Sequence, residues 1–176
     1  MNLKYIALSA AILASPAAVA AQGAPVADAF REHAAYEAKN LIAAAEEFPA
    51  AKYGFKPTPA QMSFGDIVVH LSEGNDYLCG NIAGVEAPKR TPVKATATKA
   101  ALVARLKETF AFCETSLKTV DDSKMTEELP FFGGPKKSRA SVMTLTTGDW
   151  ADHYSQFAIY MRLNGMLPPT AKKPAS

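Results

Sequence analysis

Proline and glycine divide this 176-residue chain into a few long stretches, and within them the apolar residues return every third or fourth position. That period belongs to the α-helix, where positions i, i+3, i+4 and i+7 share one face. No stretch alternates apolar and polar residues in the manner of a half-buried strand. The core must therefore be built from helix faces, and the predicted fold class is all-α.

Four helices are predicted. The first covers about residues 25–48, with Val26, Phe30, Ala34, Ala38, Leu41, Ile42 and Ala45 on its apolar stripe, and Pro49 ends it. The second covers about 59–83, with Thr58 as its N-cap, Pro59 in its first position and Gly84 as its stop. The third, about 99–120, carries Leu102, Leu106, Phe110, Cys113 and Leu117. The fourth, about 140–164, is closed by Gly165 and stopped by Pro168 and Pro169. Residues 86–97 read as a polar connection. The longer connection, 121–139, holds an apolar turn at 129–135 that should lie on the helices as a flap. Four long helices with short to moderate connections predict one antiparallel four-helix bundle over residues 25–168, followed by a disordered tail at 169–176.

The first 21 residues read as a signal peptide rather than as part of the fold. Lys4 supplies the positive end and residues 5–14 the apolar segment, which is too short to span a bilayer. Ala18-Val19-Ala20 supplies a small-residue cleavage pattern. The expected mature protein is periplasmic or secreted, with no stable membrane insertion after cleavage.

Export bears on the two cysteines. An oxidising compartment permits a Cys79–Cys113 disulfide between neighbouring, antiparallel helices, closing a loop of about 35 residues. Two buried free thiols packing as small apolar groups are the other reading. No C-x-x-C-H or C-x-x-C sequence is present, which argues against covalent haem and against a redox or zinc motif. The net charge of +2 and the absence of a concentrated basic face argue against nucleic acid as a partner. Lys136-Lys137-Ser138-Arg139 and Lys172-Lys173 read as a solvated loop and tail.

The chain has three histidines. His70 falls in the middle of the second helix, among Ile67, Leu71 and Gly74. Asp149, His153, Gln156 and Tyr160 form one stripe on the fourth helix, at spacings of four, three and four. Two imidazoles and a carboxylate can ligate a divalent ion on one side and leave positions open for water or substrate. A histidine–aspartate hydrogen bond would satisfy the same groups without an ion. Glu73, three residues after His70, reads as a solvated charge or as an acid near the same region. His33 reads as a surface residue. Asp152 lies about 100° around the helix from His153 and should point outward or support the site.

Three segments carry a resemblance. Residues 46–58, ending Ala51-Lys52-Tyr53-Gly54-Phe55-Lys56-Pro57-Thr58, look like an MPxxKYxFKPT segment. Residues 63–70, Ser63-Phe64-Gly65-Asp66-Ile67-Val68-Val69-His70, look like SFGELVxH. Residues 152–169 look like the ending HHxxQxxxYLRLNGxxPP. Together they resemble the DinB-like (DinB/YfiT) superfamily across nearly all of the mature domain.

The resemblance implies an up-down-down-up four-helix bundle and, in many members, a divalent metal held by three histidines. His70 and His153 match two of them; Asp149 stands where the third would be. The implied protein binds a divalent metal through His70, Asp149 and His153, with Glu73, Gln156 and Tyr160 as catalytic residues that orient substrate or move a proton. The ion would be Zn, Ni, Mn or Fe, or the altered site would hold none. Family activities include thiol-dependent transfer or isomerisation and metal-dependent hydrolysis. Hydrolysis is the expectation for an exported member, since glutathione-like thiol chemistry is less natural outside the cytoplasm. The alternative is a non-catalytic periplasmic bundle that binds a small ligand or a partner through a degenerate metal site. The implied partner is an unidentified small molecule, with a homodimer left open.

Overall fold

The computed structural model describes residues 23–173, so the expected signal peptide lies outside the described residues. Four helices form the body: α1 (Pro25–Glu47), α2 (Phe64–Ala83), α3 (Lys99–Leu117) and α4 (Arg139–Leu163). Two short strands, β1 (Glu128–Phe131) and β2 (Gly134–Ser138), pair antiparallel between α3 and α4.

The ends of α1, α3 and α4 follow the punctuation in the sequence to within three residues. The start of α2 does not: it begins at Phe64, five residues past Pro59. Ser63 caps it instead of Thr58. The Ser63 hydroxyl accepts from the Asp66 N–H, and the Asp66 carboxylate accepts from the Ser63 N–H, which makes a reciprocal capping box. The preceding loop supplies acceptors for the next two N–H groups, Phe64 to Phe55 O and Gly65 to Tyr53 O. With its first donors satisfied in this way, the helix has no need of the earlier start that Thr58-Pro59 offers.

The flap is a hairpin, a strand pair that the helical period does not announce. Its two-residue turn, Phe132-Gly133, has positive φ at both positions. The Tyr77 hydroxyl accepts from the Phe132 N–H, and Asn81 donates to Pro130 O, which ties the hairpin to α2.

The helix directions correct the expectation that α2 and α3 are antiparallel, while they follow the up-down-down-up order that the resemblance implies. Asn75 bonds Thr109, and Cys79 is disulfide-bonded to Cys113, so α2 and α3 rise in step and run parallel. α1 and α4 also share their ends: Lys52 Nζ donates to Asn164 at one end, and the 121–127 turn meets both Ala27 and Ala140 at the other. The bundle is therefore not purely antiparallel between neighbours. The connection from α2 to α3 runs back along the bundle, where Arg90 donates from two nitrogens to the Asp76 carboxylate, at 2.6 and 3.2 Å. The expected tail is ordered over its first residues. Pro169–Ala171 forms a 3-10 turn, and Thr170 and Tyr154 exchange hydrogen bonds.

Two features lock the interior. Phe64 stacks between Phe48 and Phe157, with ring centroids 4.1 and 4.0 Å away, fastening the start of α2 to α1 and α4. One level deeper, the fully buried Asn75 accepts from Trp150 Nε1 at 2.8 Å and donates to Thr109 Oγ1 at 3.2 Å. This buried amide joins α4, α2 and α3 and fixes the level at which they meet.

Candidate metal centre

Trp150 bonds Asn75, and His153 lies against His70, so α2 and α4 cross in opposite directions. The crossing brings the two imidazoles to a centroid separation of 4.9 Å, with their planes at 70°. One turn before His153, Asp149 places Oδ1 at 3.5 Å from His153 Nε2. One donor atom from each of His70, Asp149 and His153 lies within 4.8 Å of the others. The three residues that the sequence pattern singled out as ligands thus converge.

His153 is 7% exposed, whereas His70 and Asp149 are open to solvent. Burial works against the charged ring of His153. The Asp149 carboxylate, the Asp152 charge and Gln156 outweigh it and hold the pKa above the usual histidine value. The ring nonetheless lacks good partners. Its Nδ1 is buried without a hydrogen bond. The 3.5 Å contact from Nε2 is long for a hydrogen bond. Two ligand atoms each about 2.1 Å from a shared ion sit about 3 to 3.5 Å apart, so this spacing suits ligation better. Two nitrogens and a carboxylate oxygen form a donor set suited to a first-row divalent ion. The residues present fit such an ion.

Beside the triad opens a cleft of about 650 Å³ between α2, α4 and the hairpin. One wall is polar: His70, Glu73, Asp149 and Asp152. The other is largely apolar: Leu78, Phe131, Phe132 and Leu145. Glu73 therefore borders the cleft, and it also borders the neighbouring cavity lined by Asp76, Arg90 and Arg105. Asp152 is exposed and sits on its rim, where Gln156 Nε2 donates to it at 2.9 Å.

Tyr160 is placed elsewhere. It lies two turns beyond His153, is buried, and donates its hydroxyl to Met62 O at 2.8 Å. Burial also pushes its pKa up. It does not line the cleft. His33 is exposed, as expected, but its neighbour Glu37 is a buried carboxyl that the sequence pattern did not single out. Phe131, Phe132 and Leu145 were not anticipated as site residues. The signal for the two phenylalanines was the apolar Phe131-Phe132-Gly133-Gly134 turn, whose contact with the site depends on where the hairpin folds.

The model of the DinB superfamily matches residues 34–157, and the chain belongs to that superfamily. Solved structures agree on the fold. A DinB-like protein from Bacillus subtilis is 17% identical with a TM-score of 0.65, over 84% of this chain and 99% of that one. A DinB-like protein from Bacillus cereus is 16% identical with a TM-score of 0.67, over 81% of this chain and 95% of that one. A mutant of mycothiol-dependent maleylpyruvate isomerase is 12% identical with a TM-score of 0.62, over 74% of this chain and 60% of that one. No curated protein matches the sequence.

Proposed function

We propose that the protein is an exported, divalent-metal-binding member of the superfamily that hydrolyses a small molecule in the cleft between α2, α4 and the hairpin. The convergence of His70, Asp149 and His153 carries the reading, with His70 and Asp149 on the wall of that cleft and His153 buried behind them. These three residues would hold the ion, which when bound supplies Lewis acidity and lowers the pKa of a water. An aspartate in place of a third histidine adds negative charge, which favours Mn²⁺ or Fe²⁺ relative to Zn²⁺ or Ni²⁺.

The chain's own residues supply the rest. Glu73 borders the cleft and can accept a proton there. Phe131, Phe132 and Leu145 exclude water and take an apolar body. Gln156 steadies Asp152 on the rim. Export is supported by the Cys79–Cys113 disulfide, which suits an oxidising compartment.

One observation favours a second reading, a ligand-binding bundle without catalysis. Tyr160 is occupied by Met62 O and Gln156 by Asp152, which leaves Glu73 as the one predicted catalytic residue bordering the cleft.

Metal analysis and calorimetry on untagged mature protein separate these readings. Mn²⁺, Fe²⁺, Ni²⁺ or Zn²⁺ should bind at one equivalent, His70→Ala and His153→Ala should abolish binding, and Asp149→His should shift preference toward Zn²⁺ and Ni²⁺. No binding of any of the four overturns the metal site. Binding without turnover of ester, amide or phosphoester panels selects the second reading.

A further inference from the structure

The cleft beside the triad has a one-sided charge. Glu73, Asp149 and Asp152 line it, and no lysine or arginine does so among the described residues. Even a divalent ion on the triad, which needs neutral histidines, leaves the wall net negative. A concave site walled by one sign of charge and by apolar side chains repels ligands of that sign and concentrates the opposite one.

The opposite wall is aromatic. Phe131 and Phe132 meet edge to face with centroids 5.0 Å apart, and Phe132 lies 4.6 Å from Tyr77. The Phe131 ring already has a cation over it, Lys137 Nζ at 5.4 Å from its centroid, although Lys137 does not line the cleft.

Phe132 is an unusual choice for its position. It is 60% exposed, with φ of 46° at the first central residue of a two-residue hairpin turn. Asparagine, aspartate or glycine is the favoured residue there, and a bulky side chain at positive φ is strained. Folding of the hairpin does not require a phenylalanine at its tip, and the ring stands at the mouth of the cleft.

We propose that this cleft binds small organic cations, specifically ammonium compounds with an aromatic or branched apolar body. The apolar body lies against Phe131, Phe132 and Leu145, and the ammonium faces Glu73 and Asp152. Anionic substrates, including carboxylated and phosphorylated ones, are excluded. The inference rests on reading this cleft as the functional site, but not on an ion being present.

The test uses three probes of one shape and different charge: phenethylamine, 2-phenylethanol and 3-phenylpropanoate. They are titrated by NMR into full mature protein freed of metal by chelation, so that a carboxylate cannot bind through an ion. The amine should bind at least tenfold tighter than the carboxylate, with the alcohol between. Glu73→Gln with Asp152→Asn, which leaves Asp149 in place, should narrow the gap between amine and carboxylate at least threefold and leave the alcohol unchanged. Phe132→Asn, which keeps a favoured turn pair with Gly133, should weaken the amine at least fivefold with an unchanged melting temperature.

A carboxylate that binds as tightly as the amine overturns the proposal, as does a Phe132→Asn protein with unaltered amine affinity. Because the ion is absent throughout, these failures are distinct from a failure of the metal site. Metal binding without the predicted charge order sinks this inference alone.

Discussion

Replacing Asn75 by leucine tests whether one buried amide sets the level at which α2, α3 and α4 meet. Asn75 is fully buried and serves both neighbours, accepting from Trp150 Nε1 at 2.8 Å and donating to Thr109 Oγ1 at 3.2 Å. Leucine leaves the indole N–H buried without an acceptor, at a cost of about 1–3 kcal/mol. It also sets a methyl where an oxygen stood at hydrogen-bonding distance, and this overpacking adds about 1 kcal/mol. Thr109 loses less, since its hydroxyl still donates to Leu106 O at 3.0 Å. The sum is about 2–4 kcal/mol, or a fall in Tm of about 5–10 °C for a domain of this size.

Thermal and urea unfolding of the single variants and of Asn75→Leu combined with Trp150→Phe provide the assay. Phenylalanine removes the donor, so Asn75→Leu should cost at least about 1 kcal/mol less in that background. A Tm change under about 2 °C for Asn75→Leu, or strict additivity of the two substitutions, would refute the argument.

Three further outcomes follow from the interior. Glu37 has a buried oxygen without a partner, and burial raises its pKa against the opposing pull of His33. A raised folded pKa contributes stability only below the unfolded value and loses it as pH rises through the folded one. Glu37→Gln should therefore raise Tm at pH 7, by about 1 kcal/mol equivalent, with the gain vanishing below about pH 4 in a pH series of melts. A Cβ on Gly65 would lie 2.9 Å from Ala95 O and 3.3 Å from Tyr53 O, both backbone atoms. Gly65→Ala should cost about 1–2 kcal/mol in urea titrations, despite alanine's better helix propensity. Reducing the Cys79–Cys113 bridge opens a loop with a sequence separation of 34. It should lower unfolding free energy by about 3–4 kcal/mol and leave far-UV circular dichroism unchanged.

The helices were legible in the sequence because their period is local, and so was the grouping of His70, Asp149 and His153. Asp149 and His153 share a face by spacing alone. His70 is exposed on α2, beside its buried face, and joins them where α2 crosses α4. What resisted reading depends on contacts between distant residues. The start of α2 was misplaced because Thr58-Pro59 and Ser63-Asp66 both look like caps, and the choice falls to acceptors offered by Tyr53 and Phe55. The hairpin escaped notice because four- and five-residue strands leave little period to detect, and β1 contains a proline. The direction of α3 cannot be read from its own residues; it is set by which cysteine and which threonine meet α2. Tyr160 kept the right phase for the site but lies two turns too far along the helix, where Met62 O takes its hydroxyl.

The pairing of helix directions has an electrostatic consequence. At each end of the bundle, two helices begin and two finish, so partial positive and partial negative termini sit side by side. The ends also serve one another through side chains. Arg31, near the start of α1, donates to Leu117 O and Val120 O at the finish of α3. Lys99, at the start of α3, donates to Glu46 O and Phe48 O at the finish of α1. The four macrodipoles therefore largely cancel, and the scaffold imposes little field of its own along its axis. The sign of the potential in the cleft comes from Glu73, Asp149 and Asp152, and the exposed positions Glu73 and Asp152 can be recoded for a ligand of opposite charge without moving a helix.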